Sequence, residues 1–110
     1  MAPHLFTIKK RTTFVQIRDK GVFIRSKNLN VQKLLNQDLD GRIGVGYTAT
    51  KKIGNAVKRN KAKRILRELA KKILIKGKTN MYYVLIAKIS ILNAKFENLE
   101  KEMENIINVK

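Results

Sequence analysis

From Ala56 to Ile75 the chain reads as a helix with an apolar body on one side and a charged environment on the other. At about 100° per residue, Ala62, Ile65, Leu66, Leu69 and Ile73 fall on one stripe, which requires a core to pack against. Asn60, Arg64, Arg67 and Lys71 fall on the opposite stripe, flanked by Lys63. Cations spaced three and four residues apart destabilise a helix by about 0.2–0.5 kcal/mol per pair, and Glu68 is the only acid in this stretch. Docked phosphates relieve that repulsion, and the planar fork of arginine can bridge phosphate oxygens or base edges. Just upstream, Gly54 and Asn55 bring backbone N–H groups to the helix N-terminus, a second feature suited to phosphate.

The rest of the composition narrows the partner. The 110 residues carry 25 basic and eight acidic side chains, a net charge of +17. Residues 1–78 hold 21 of the basic and four of the acidic ones, so all the excess lies there, while residues 79–110 balance at four of each. A phosphate-binding face requires such segregation; solubility alone does not. Nucleic acid is the favoured partner, with an anionic membrane surface as the competitor. No apolar run approaches the ~18–20 residues that span a bilayer, so a membrane-spanning chain is not expected, and with nucleic acid favoured over the membrane surface no membrane is counted among its partners. The chain has no cysteine and a single histidine, His4, which removes thiolate chemistry, His-rich metal cages and Ser-His-Asp triads. Asp38 and Asp40 lie two apart in a turn, and Glu97, Glu100 and Glu104 line one side of a helix as a solvated face. No catalytic residue and no metal site is expected on the protein.

One domain over residues 1–110 is expected, since no linker, repeat or low-complexity block divides the chain. Residues 1–11, with the only proline at Pro3, read as a flexible basic arm. Thr12 and Thr13 can cap a short helix through Lys20, with Phe14 and Ile17 on one face and Gly21 as the stop. Val22–Leu35 reads as one bent strand or two short ones, broken near Ser26-Lys27-Asn28. After a turn at 36–41, Ile43, Val45, Tyr47 and Ala49 alternate with smaller residues as a strand with one buried face. Met81–Ile91 is a nearly continuous apolar run, typical of a central strand. Asn93 can cap a last helix that buries Phe96, Leu99, Met103, Ile106 and Ile107. The predicted order is αβββαβα, an α+β sandwich of helices on a small sheet.

The stretch Thr50-Lys51-Lys52-Ile53-Gly54-Asn55-Ala56-Val57-x-Arg59-Asn60-Lys61-x-Lys63-Arg64-x-x-Arg67-Glu68 closely resembles the signature of the bacterial ribonuclease P protein component. The family's Arg-Asn-Arg core stands here as Arg59-Asn60-Lys61, a conservative departure. The resemblance extends more weakly across nearly the whole chain, with Phe14, Gly21, Lys27 and the apolar strand at 81–88 as further matches.

The resemblance implies an α-β sandwich with a left-handed β-α-β crossover, against the usual right-handed rule. It implies binding to a catalytic RNA subunit that removes the 5′ leader of precursor tRNA in the cytoplasm. That RNA hydrolyses the phosphodiester with Mg²⁺, bound mainly by the RNA. Lys51, Lys52, Asn55, Arg59, Asn60, Lys61, Lys63, Arg64 and Arg67 carry over as contacts to the RNA subunit. Phe14 and Lys27 carry over to a cleft that holds the single-stranded leader, where stacking and phosphate contacts give sequence-tolerant binding. Two further cleft aromatics of the family are missing, with Arg18 and Gln32 in their places, so leader contacts are expected to be more electrostatic. Phe14 can also be read as a core residue beside Ile17. No protein partner is expected. The alternative function is a basic ribosomal or nucleoid protein that uses the same helix on other nucleic acid.

Overall fold

The computed structural model describes residues 4–108. The long helix, α2, forms over Ala56–Lys72, where the two stripes predict it. Asn55 caps it, its side-chain oxygen accepting from the Lys58 N–H at 3.0 Å. The helix stops short of Ile75 because a 3₁₀ turn, Leu74–Lys76, takes over and buries Leu74. Its apolar stripe lies on a five-stranded sheet: β1 (Leu5–Thr7), β2 (Val22–Arg25), β3 (Leu29–Leu35), β4 (Ile43–Thr48) and β5 (Met81–Ala87). The spatial order is β1-β4-β5-β3-β2, with β1, β4 and β5 parallel and β3 and β2 antiparallel. The apolar run of β5 therefore occupies the centre, where strands need burial on both faces. Helix α1 (Arg11–Lys20) lies against β3 and β5 on one face, and α2 packs with α3 (Phe96–Ile107) on the other.

The main core fills the α2 side. Leu29, Val31, Ile43, Val45, Tyr83 and Leu85 from the strands meet Leu66 and Leu69 of α2 and Leu99, Met103 and Ile106 of α3. The α1 side holds a smaller cluster of Ile8, Ile17 and Val84, with Phe14, Leu34, Tyr82 and Ile86 half-buried around it. The architecture is α+β, as expected, but four details differ.

The reading of residues 1–11 as a flexible arm gives way. Leu5–Thr7 is an edge strand parallel to β4, and Ile8 is buried. The edge of β4 would otherwise present unpaired backbone groups; here Ile43 donates to the His4 carbonyl and Ile8 to the Val45 carbonyl, both at 2.9 Å. Phe6 packs edge-on against Tyr82, and the Arg42 guanidinium lies 4.8 Å from the Phe6 ring centroid. The order becomes βαβββαβα; Met1–Pro3 of the expected arm lie outside the described residues. Second, α1 begins at Arg11 behind Lys10, so Thr12 and Thr13 fall inside its first turn and cap nothing.

Third, β4 is buried on both faces rather than one. A Cβ at Gly44 would come within 2.8 Å of both the Phe6 and Tyr82 rings, and one at Gly46 within 2.3 Å of Phe14 Cε1. The two glycines let aromatic rings lie directly on the strand, a close approach that any side chain would block. Fourth, the last strand stops at Ala87 rather than running to Ile91, because Ile89–Leu92 forms a 3₁₀ turn that ends at Asn93, and α3 starts behind Lys95. The ambiguous segment at 22–35 is two strands, joined through Ser26-Lys27-Asn28.

Candidate nucleic-acid interface

The cationic surface starts in the 3₁₀ turn Lys51–Ile53, which buries Ile53 and leaves Lys51 and Lys52 exposed. Gly54 follows at φ 133°, a backbone conformation suited to glycine, and lets the chain enter α2. Along α2, Asn60, Lys61, Arg64 and Arg67 are exposed, while Arg59 and Lys63 are half-buried. No acid stands in the first turn of α2. The partial positive charge of the helix end thus adds to that of Lys51, Lys52, Lys58 and Arg59. The one ion pair on the helix among the described residues is Lys71 to Glu68, exposed and 4.0 Å long, which offsets little. Arg67 is steered toward the sheet edge, its guanidinium 5.9 Å from the Tyr47 ring centroid. Burial raises the pKa of the Tyr47 hydroxyl, with Arg67 pulling the other way. Asn55 is committed to its cap, so what it offers a phosphate is the N-terminal backbone it orders.

The proposed cleft residues are not all brought together. Phe14 is half-buried with its ring over Gly46. Gly46 stands opposite Val84, and Val84 opposite Gln32, so Phe14 and Gln32 share one face and one row of the sheet. Arg18 follows Phe14 by four residues on α1, is exposed, and is paired with Asp19 at 3.2 Å, a pairing a phosphate can displace. Lys27 stands apart. It lies in the β2–β3 turn, four residues and about 13 Å along the strand from the Phe14 row. There it borders a polar depression with Asn93, Lys95 and Asn98, beside the start of α3.

Two groups with no sequence signal shape this region. Glu102 of α3 holds the β2–β3 turn from 74 or more residues away. Its carboxylate accepts from Ser26 Oγ at 2.5 Å and from the Asn28 N–H and Nδ2 at 2.8 Å each. Lys88 Nζ donates to the Ser26 carbonyl, and Ser90 Oγ to the Lys27 carbonyl at 3.3 Å. The backbone that carries Lys27 is thereby fixed. Phe23, exposed on β2, stands opposite Gln32; only the strand register reveals that it joins the α1 face. Lys51 and Lys52 border a groove with Asn30, Ile86 and Ile89, so the cationic turn adjoins the uncovered end of the same sheet face.

The model of the ribonuclease P family matches residues 3–109. The chain belongs to the ribonuclease P protein family. The ribonuclease P protein component of Syntrophus aciditrophicus is 37% identical over 96 residues, covering 87% of this chain and 79% of the relative. That of Caulobacter vibrioides is 38% identical over 91 residues, covering 79% and 60%. The chain spans about three fifths of the length of the Caulobacter vibrioides and Gluconacetobacter diazotrophicus relatives that it matches. Among solved structures, the RNase P protein of Staphylococcus aureus superposes with a TM-score of 0.77 at 27% identity, over 92% of this chain and 91% of that one. The RNase P protein of Thermotoga maritima gives 0.81 at 19% identity, over 96% and 98%, a likeness of fold. Among the described residues of this ribonuclease P family chain, no three His, Cys, Asp or Glu side chains gather in a way that could hold a metal. No helix among them is long and apolar enough to cross a membrane.

Proposed function

We propose that the chain is the protein component of a bacterial-type ribonuclease P, acting in the cytoplasm in the maturation of tRNA 5′ ends. The exposed cations of the 51–67 segment bind the catalytic RNA subunit, and the α1 face of the sheet holds the single-stranded leader of precursor tRNA. The observation that carries this reading is the α2 surface: arginines and lysines at helical spacing, almost without compensating acids, over a stripe packed into the core. Phosphates that dock there release counterions and relieve the self-repulsion of the helix. Arg64 and Arg67 contribute planar forks, and the N-terminus of α2 contributes N–H groups. On the cleft face, the Phe14 ring offers a stacking platform and Arg18 a cation for phosphate.

Phosphodiester hydrolysis in this reading is the work of the RNA and its Mg²⁺. The carboxylates of the described chain do not fit a Mg²⁺ site: Asp38 and Asp40 are exposed in a turn and no third metal-binding side chain joins them. The protein instead lowers the cost of bringing RNA and substrate phosphates together.

Reconstitution tests the reading. The full chain, mixed with a bacterial ribonuclease P RNA and precursor tRNA, is expected to restore leader cleavage at Mg²⁺ concentrations where the RNA alone is slow. Tight binding to that RNA with no gain in cleavage would instead favour a ribosomal or nucleoid role.

A further inference from the structure

Phe23 is a large aromatic that the core leaves 46% exposed. It stands in β2, an edge strand, opposite Gln32 of β3, which stands opposite Val84 of β5, which stands opposite Gly46 of β4. Directly opposed residues project from the same face, so Phe23 shares the row that ends beneath the Phe14 ring. Arg25, two residues on and also exposed, projects from that face as well, its guanidinium 5.8 Å from the Phe23 ring centroid. Neither side chain is needed to close the core, and no ion pair engages Arg25 among the described residues. An exposed ring next to a long-stemmed cation is the pairing that single-stranded nucleic acid requires, a π-face for a base and a charge for its phosphate.

The neighbourhood selects that occupant over an apolar peptide. The next row, Arg25, Asn30, Ile86 and Thr48, ends beside the groove bordered by Lys51 and Lys52, so cations stand at both ends of a strip whose floor mixes polar Asn30 and Gln32 with apolar Ile86 and Val84. Three strand spacings, about 14 Å, separate β2 from β4. That span takes no more than about four stacked nucleotides, so one continuous strand can meet both rings.

The geometry points to Phe23 and Arg25 as a second nucleotide position on the cleft face, where a leader base stacks on the open side of the Phe23 ring and Arg25 takes the adjacent phosphate. The assignment rests on the leader-cleft reading above. It also supplies an aromatic beside Gln32, where the chain departs from its family's pattern.

The chain contains no tryptophan, so Phe23→Trp introduces a single reporter at the site. With the full chain bound to a ribonuclease P RNA, its fluorescence should be quenched by precursor tRNA with a long leader and unchanged by mature tRNA. Phe23→Ala should weaken precursor binding roughly tenfold, within the range for one stacked base, and leave mature tRNA binding intact. Both variants should melt cooperatively as folded chains, with only a modest loss of stability for Phe23→Ala, since the ring is half exposed. An unquenched reporter on bound precursor, or a Phe23→Ala chain that binds precursor as the wild type does, overturns the assignment. If the wild type itself fails to distinguish precursor from mature tRNA, it is the leader-cleft reading that fails, and the Phe23 position with it.

Discussion

The same five strands present two differently filled faces. Toward α2 and α3, Leu29, Val31, Ile43, Val45, Tyr83 and Leu85 are almost wholly withdrawn from solvent. Toward α1, Val84 is the only buried strand side chain among the described residues, and Gln32, Asn30, Thr48 and Ile86 stay half-exposed. Dimensions explain the difference. A ten-residue helix is about 15 Å long and ~10 Å wide, too small to cover five strands spaced ~4.8 Å apart. What α1 leaves uncovered is reachable by a ligand. Burial and access compete for the same backbone, and each is concentrated on its own face.

If the closed face carries the fold, its substitutions should cost most. Leu66→Ala removes a fully buried side chain of α2 and should lower stability by about 2–5 kcal/mol in urea unfolding. Ile86→Ala, half-buried on the open face, should cost clearly less; equal costs would erase the distinction. On the open face itself the sharpest steric demand is the Phe14 ring on Gly46. Gly46→Ala should destabilise by about 1–3 kcal/mol through overpacking, and most of that deficit should vanish in a Phe14→Ala background. Additive effects would mean that the ring already has room to move.

Binding should divide in the same way. Phe14→Ala is expected to weaken precursor tRNA binding by roughly 1–3 kcal/mol while sparing mature tRNA and the RNA subunit. Arg64→Ala combined with Arg67→Ala should instead weaken binding to the RNA subunit with or without substrate. The salt slope should fall in magnitude by about 0.7–0.9 for each phosphate that is no longer neutralised. A folded Phe14→Ala chain with unchanged precursor binding would make Phe14 a packing residue only. The smallest effect is alkaline and belongs to the closed face. Burial raises the Tyr83 hydroxyl above its usual pKa of 10.0, so the folded chain keeps a proton that the unfolded chain releases. Its contribution is complete below pH 10.0 and is lost as pH rises through the raised value. Lys33 works in the opposite sense, since burial and then the charge of Lys78 lower its pKa from 10.5. Tyr83→Phe should therefore flatten part of the fall in stability above pH 10.0 seen in pH-dependent melts.

What the sequence revealed follows the range of the interactions. Helix α2 and strand β5 were legible because seventeen residues of helical spacing and an unbroken apolar run are strong local signals. The cationic surface was legible for the same reason, since helical spacing alone puts Asn60, Arg64 and Arg67 on one stripe. Strand β1 was not, because three residues cannot display a period and its partner, Ile43, lies far along the chain from Leu5. The expected single buried face of β4 failed on a tertiary detail, two glycines roofed by rings from β1, β5 and α1. Phe23 and Glu102 escaped for a similar reason. One needs the register of four strands to show its face, and the other acts on a turn more than seventy residues away.

The central place of β5 also sets an order of events during synthesis. The strand that every other part of the sheet is organised around is the last of the five to be made. About 39 residues separate the end of β4 from the end of β5, a delay of about 2–8 s at ordinary elongation rates. For the last 15 of those residues α2 is complete, yet the centre of its core does not exist. Its apolar stripe has little to rest on while its cationic stripe is already able to meet RNA. On the proposed function, the nascent chain can therefore encounter RNA before it has closed its own interior.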